Sequence, residues 1–149
     1  SWDNTVRLWL PASGECAVML TGHTERVRAL AVLPDHRLAS GGSDVRLWCT
    51  RTHACVAVLT ITPSDWVQRL AALPDGRLAA TGAEKMVRVW PTHLHHTVGY
   101  AAINAAATTM AANKNSILGI AALPDNRLAT SGVDGVLRVW QLPPAAASL

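Results

Sequence analysis

Phenylalanine is absent from this 149-residue chain, tyrosine occurs once, and charged residues make up only 15%. Low charge beside an apolar content of 50% excludes a wholly disordered protein and leaves enough material for one packed core. Lysine is scarce too, since eleven of the thirteen cationic residues are arginine, and the net charge of +3 is too small to demand a nucleic-acid or membrane partner. Cysteine appears three times, as Cys16, Cys49 and Cys55, with no CxxC pair. An odd count without paired spacing fits neither a secreted disulfide framework nor a zinc site, and a reducing compartment, cytoplasmic or nuclear, is the expectation. No apolar run approaches the roughly 18 residues a membrane helix needs, and neither a glycosylation sequon nor a secretory leader pattern is present. What the chain does have is tryptophan, six times, and that asks for a positional explanation.

The explanation is an internal repeat. Val6-Arg7-Leu8-Trp9, Val45-Arg46-Leu47-Trp48, Val87-Arg88-Val89-Trp90 and Leu137-Arg138-Val139-Trp140 are four versions of one segment, with Trp-to-Trp steps of 39, 42 and 50 residues. A second marker, Leu-Pro-Asp-x-Arg-Leu-Ala, recurs in phase at Leu33 to Ala39, Leu73 to Ala79 and Leu123 to Ala129. Within a unit the apolar runs are too short for helices and rich in Val, Leu and Trp: Val27 to Leu33, Arg37 to Ser40, Val45 to Cys49, and Ala54 to Leu59. Pro34-Asp35-His36 and Gly41-Gly42-Ser43-Asp44 between them are turn sequences, because Pro fixes φ while Gly and Asp tolerate the left-handed region. Each unit therefore reads as a four-stranded antiparallel meander. The first strand is almost continuously apolar, which predicts that both of its faces are covered by neighbours.

A four-strand unit ending in a Trp-bearing strand resembles the WD-repeat (WD40) family of β-propellers. Thr21-Gly22-His23 is similar to the Gly-His head of such a repeat, and Leu38-Ala39-Ser40-Gly41-Gly42-Ser43-Asp44 followed by Val45-Arg46-Leu47-Trp48 to its tail. Other units are degenerate: Ile61-Thr62 and Ala112-Asn113 stand where Gly-His would be and Glu84 replaces the turn Asp, whereas Asp3 and Asp134 match it. The resemblance implies an all-β fold, a propeller segment of four-stranded blades over residues 1–142, with a Pro/Ala-rich tail at 143–149. The repeat units run roughly 1–9 (partial), 10–48, 49–90 and 91–140, giving two complete blades and two partial ones. Closed propellers need at least about four blades, so this incomplete ring is expected to be a piece of something longer, to assemble with copies of itself, or to leave two edges exposed. Opening on Ser1 in the middle of a unit fits the first expectation.

Ser40, His23 and Asp44 together have the residue types of a hydrolytic triad. For these residues the resemblance implies a structural tetrad instead, completed by Trp48, in which Asp44 holds His23 and Ser40 links to the indole N–H. A mutually satisfied buried network leaves no open nucleophile, so no catalytic residue and no cofactor are expected. The second unit is two residues shorter between Asp44 and Trp48 than the fourth is between Asp134 and Trp140, which leaves its tetrad open to distortion. His93-x-His95-His96 could place ligands on one strand face. A polar loop or outer strand accounts for it more simply than a metal site. The Ala-rich stretch Tyr100 to Asn115 reads as an insertion between an outermost strand and the next inner one, loop-like or partly helical, without an apolar face to bury.

Partner-binding candidates come from strand alternation, which sets the residues on either side of Val27, Val67 and Ile117 on the opposite face from it. They are Arg26 and Arg28, Trp66 and Gln68, and Ser116 and Leu118. In propellers that this chain resembles, such positions surround the mouth of the channel, together with the residue preceding the turn Asp, here Trp2 and Ser43. Trp and Arg are the side chains that most often dominate interfaces, and Trp2 and Trp66 lie outside the four periodic tryptophans. The function expected is a non-catalytic scaffold binding a protein or peptide through Arg26, Arg28, Trp66 and Gln68, with Trp2 and Ser43. No small-molecule substrate or membrane is expected, and nucleic acid is disfavoured because Arg46 and Trp48 share a face inside a blade. The alternatives are a self-assembling propeller fragment and a propeller-type hydrolase.

Overall fold

The computed structural model describes residues 1–61, 65–83, 85–93, 99–111 and 116–144. Four antiparallel meanders follow one another along the chain. The first sheet has two strands, β1 (Val6–Trp9) and β2 (Cys16–Leu20). The second contains β3 (Ala29–Val32), β4 (Arg37–Gly41), β5 (Val45–Cys49) and β6 (Cys55–Leu59). In the third, β7 (Val67–Ala72), β8 (Leu78–Gly82) and β9 (Met86–Trp90) lead through helix α1 (Tyr100–Ala105) to β10 (Thr108–Ala111). The fourth contains β11 (Ile117–Leu123), β12 (Arg127–Gly132) and β13 (Leu137–Gln141). This is the expected series of blades, two complete and two partial.

The turns that make the meanders have a shared chemistry. Leu33 N donates to Arg37 O at 2.8 Å, and the residue closing the turn is left-handed in each unit, His36 at φ 64°, Gly76 at 84° and Asn126 at 57°. Glycine is free in that region, and asparagine and histidine enter it more readily than β-branched residues. The register then places Leu38 opposite Trp48, Leu78 opposite Trp90 and Leu128 opposite Trp140, so every unit repeats one pattern of faces.

Those faces stack. Val6 and Leu20 of the first sheet pack on Leu38 and Trp48 of the second, whose opposite face (Ala39, Val45, Leu47) packs on Leu78, Ala80 and Trp90 of the third. Ala79, Val87 and Val89 on the far side of the third sheet meet Leu128, Ile117 and Trp140 of the fourth. Each blade thus turns its tryptophan side to the preceding blade and its Val-x-Leu side to the next. Full burial of one such side chain is worth about 1.5–3 kcal/mol, which makes this stacking the main source of cohesion. At the two ends of the stack the same positions lack cover: Trp9 is 55% exposed, against 2% for Trp48, and Leu137 is 67% exposed, against none for Val45 and Val87.

Two expectations are corrected. The inner strand of the second sheet is not covered on both faces, since Leu30 and Val32 are exposed. They share the Leu38 and Ser40 face, which looks toward a first sheet of only two strands. The Ala-rich stretch is not an insertion after the outermost strand either. It contains that strand, β10, which pairs with β9 from Thr108 opposite Val89 to Ala111 opposite Met86, and the extra residues precede it. Nor does α1 lack a buried face, because Ile103 is fully buried in the main core. Asn104 fixes the helix to the neighbouring blade by accepting from Thr60 N at 3.0 Å and donating to Val58 O at 3.3 Å. A single buried residue on a six-residue helix leaves no periodicity to detect.

A polar link between blades accompanies the apolar one. Arg37 is clipped to Asp35 (Nε to Oδ2, 2.8 Å) and reaches forward to Thr92 O of the next unit at 2.8 Å. Arg77 repeats this with Asp75 at 2.8 Å and Pro143 O at 2.9 Å. Arg127, the third member of the series, reaches no other unit among the described residues: it bonds to Pro124 O within its own turn at 3.4 Å and lies 3.9 Å from Asp125 Oδ2. Arg37→Met is therefore expected to lower stability by about 1.5–3 kcal/mol, as for other hydrogen bonds to charged groups. Arg127→Met should stay within about 0.5 kcal/mol. Urea unfolding of the two variants checks this, and equal losses would contradict a clamp between blades.

Candidate functional site

The turn after β4 gathers the candidate partner-binding residues. Its two glycine carbonyls accept from both flanking segments, Gly41 O from Arg28 N and Gly42 O from Val67 N, each at 2.8 Å. Ser1 O accepts from Val27 N at 3.0 Å, which brings Trp2 alongside. Gly42 sits in close approach: a Cβ there would lie 3.0 Å from Arg26 O and 3.1 Å from His23 Nδ1, so those neighbours would have to give by a few tenths of an ångström. The result is a cleft of about 310 Å³ lined by Glu25, Arg26, Arg28, Gly42, Ser43, Asp65 and Trp66. Trp2, 79% exposed, lies 3.5 Å from the Arg26 guanidinium carbon by ring centroid, and Trp66, 44% exposed, lies 5.5 Å from that of Arg28. Such contacts contribute about 0.5–1 kcal/mol at exposed sites. Five of the six expected residues therefore meet around one cleft or its rim. Gln68 does not line it, being half-buried on β7, where its main-chain carbonyl accepts from Arg69 Nη1 at 2.8 Å.

Beneath the cleft, His23, Ser40, Asp44 and Trp48 form one network. Trp48 Nε1 donates to Ser40 Oγ at 2.7 Å, and His23 Nε2 lies 2.6 Å from the same oxygen. Asp44 Oδ1 approaches His23 Nδ1 to 3.0 Å but is not aligned as a hydrogen bond, and the carboxylate is shared with Arg46 at 3.2 and 3.3 Å. The shortened turn thus leaves the serine links intact and skews only the aspartate contact. Burial pushes the Asp44 carboxyl up, but the pull of His23 and Arg46 outweighs it and holds the group below its ordinary 3.8.

The family model for the WD domain, G-beta repeat, matches residues 14–49, 53–91 and 106–141, well over half the chain. The chain belongs to the WD-repeat family. An uncharacterized WD repeat-containing protein of Schizosaccharomyces pombe is similar to it, 42% identical over 43 residues, a stretch that is 29% of this chain and 12% of that protein. Among solved structures, one titled "Structure of U3-55K" superposes with a TM-score of 0.79 at 23% identity, covering 98% of this chain and 45% of its own. That likeness shows the fold, and the chain spans less than half the length of either relative.

Among the described residues of this WD-repeat protein, the other units carry only parts of that network. In the fourth sheet Trp140 Nε1 donates to Thr130 Oγ1 at 2.9 Å, and Asp134 pairs with Arg138 at 2.8 Å. In the third, Ala80 stands where Ser40 and Thr130 stand, and the buried Trp90 Nε1 has no hydrogen-bond partner among the described residues. Thr62, Glu84, Ala112 and Asn113, the degenerate positions, lie outside the described residues. So do His95 and His96; among the described residues no cluster of three or more His, Cys, Asp or Glu is arranged to hold a metal.

Two contributors were missed by sequence reasoning. Asp65 Oδ1 accepts from Trp66 N at 2.8 Å and Ala83 N at 2.6 Å, tying the start of β7 to the end of β8. Its signal was available, as an Asp directly before an unexplained Trp. The interblade role of Arg37 and Arg77 was hidden in a marker read only as a turn.

Ser40→Ala should cost about 1–3 kcal/mol by orphaning two buried groups, whereas Ala80→Ser should gain about 1 kcal/mol by giving Trp90 Nε1 an acceptor. Thermal or urea unfolding measures both, and a destabilising Ala80→Ser would contradict the assignment. The lowered Asp44 pKa implies stability that is present above the ordinary carboxylate value and lost as pH falls through the lower folded one. Asp44→Asn should therefore lose less stability than the wild type between about pH 5 and pH 3, and parallel profiles would refute the linkage.

Proposed function

We propose that the chain is a non-catalytic interaction platform whose protein or peptide partner docks at the channel mouth formed around the turn after β4. Proteins of the WD-repeat family typically mediate protein–protein interaction. The observation that carries the finer reading is the cluster of two exposed tryptophans, each stacked with an arginine, around one cleft. The blades need neither tryptophan for packing, and exposed Trp and Arg are the commonest anchors of protein interfaces. A hydrolase reading is disfavoured by Ser40, which is fully buried and bonded on both sides to His23 and Trp48. Three free cysteines, two of them exposed, fit a reducing intracellular setting. Self-assembly is the second reading, supported by the uncovered apolar faces of β1 and β13.

Quantitative affinity capture from cells of the source organism separates these readings. The double variant Trp66→Ala/Arg28→Ala is expected to lose its specific partner by about tenfold or more while still unfolding in one cooperative thermal transition, lowered only modestly by the lost Arg28–Trp66 contact. Leu137→Lys, on the open end face, should retain it. Unchanged capture by the mouth variant, or loss only with Leu137→Lys, would overturn the docking site proposed here.

A further inference from the structure

Six of the eleven arginines, Arg7, Arg37, Arg46, Arg77, Arg127 and Arg138, stand against an aspartate. Of the other five, Arg69 bonds to Gln68 O and Arg88 lies over the buried Trp90 ring inside a blade, while Arg26 and Arg28 line the cleft. Arg26 and Arg28 have no carboxylate partner among the described residues and are held against indoles instead, Arg26 on Trp2 and Arg28 on Trp66. An indole under a guanidinium restrains it and leaves its N–H edge free, and that edge matches the two oxygens of a carboxylate. Both edges border the same cleft of about 310 Å³.

Two acidic residues in that cleft narrow the ligand class. Asp65 is occupied by the backbone N–H groups of Trp66 and Ala83, whereas Glu25 is exposed, and together they offset the formal charge of the two arginines. The cleft therefore has no surplus of positive charge for a phosphate dianion or a polyanion. A singly charged carboxylate, by contrast, gains a paired donor fork and does not need a net positive surplus.

We propose that this cleft recognises an unmodified Asp or Glu side chain in an extended segment of the partner, gripped by Arg26 and Arg28, with Trp2 and Trp66 acting as positioning residues. The proposal rests on the channel mouth being the docking surface and adds the chemistry it selects.

The test is a displayed library of random dodecapeptides, panned on the full chain and counter-selected on Arg26→Ala/Arg28→Ala. Enrichment of Asp or Glu at a fixed position is expected. A synthetic copy of the best binder should lose affinity roughly tenfold when that residue becomes Gln or Asn. It should weaken similarly against Arg28→Lys, which keeps the charge and loses the fork. Placing phosphoserine at the position should weaken binding, not strengthen it. The proposal is overturned if no peptide depends on the two arginines, if the amide copy binds equally, if Arg28→Lys matches the wild type, or if phosphoserine binds tighter. Neutral peptides that require Trp66 would refute the acidic specificity alone. Peptides indifferent to both Trp66 and the arginines would count against the docking surface as well.

Discussion

Every sheet in this protein has two apolar faces, and only another sheet can cover them. Leu38 and Trp48 on one side of the second sheet, and Val45 and Leu47 on the other, are all buried, yet they belong to the two opposite surfaces of one thin layer. A single blade of this composition would leave half its core in water, so blades exist here only as members of a stack. The six tryptophans follow from this requirement in part. Three of the four periodic ones, Trp48, Trp90 and Trp140, join the contacts between blades, while Trp9 is left exposed on the outer face of the first sheet.

Polar interactions then set the order and angle of what the apolar faces only hold together. In the first two Leu-Pro-Asp-x-Arg turns the arginine, Arg37 or Arg77, is pinned by its own aspartate and spans to a carbonyl of the next unit, so it reports the presence of that unit directly. At the opposite end of the strands, the Gly41 and Gly42 carbonyls gather the starts of two inner strands into one turn. The candidate binding surface is a consequence of that convergence. Arg28 and Trp66 are 38 positions apart in sequence and meet because both their segments bond to one pair of glycines.

The repeat made the fold legible. Period, turn residues and strand alternation all survive in sequence, and each strand of the second sheet was placed within a residue or two from those signals alone. What sequence could not show was anything set by the neighbouring blade. Leu30 and Val32 read as core because they are apolar, and they are exposed because the sheet they face is two strands wide. The helix and β10 were unreadable for a related reason: Ile103 and Asn104 take their roles from β6 and the strand end beyond it. Arg26, Arg28 and Trp66 were legible from alternation, and Trp2 from its place before the turn aspartate, but their pairing into two stacks was not. Gln68 shows the limit of alternation, because a residue can have the right parity and still sit outside the cleft.

The fold of this WD-repeat protein thus reduces to one claim, that stacking of blades holds the strands and sets the mouth residues upon them. Hydrogen–deuterium exchange of the intact chain, read by mass spectrometry, tests it most directly. Peptides covering β4, β5, β8 and β9, sandwiched on both faces, should exchange slowest and as one cooperative group, while those covering β1 and β13 at the open ends should exchange first. Protection at β1 and β13 equal to that of the inner strands, or separate exchange of the second and third sheets, would contradict the account.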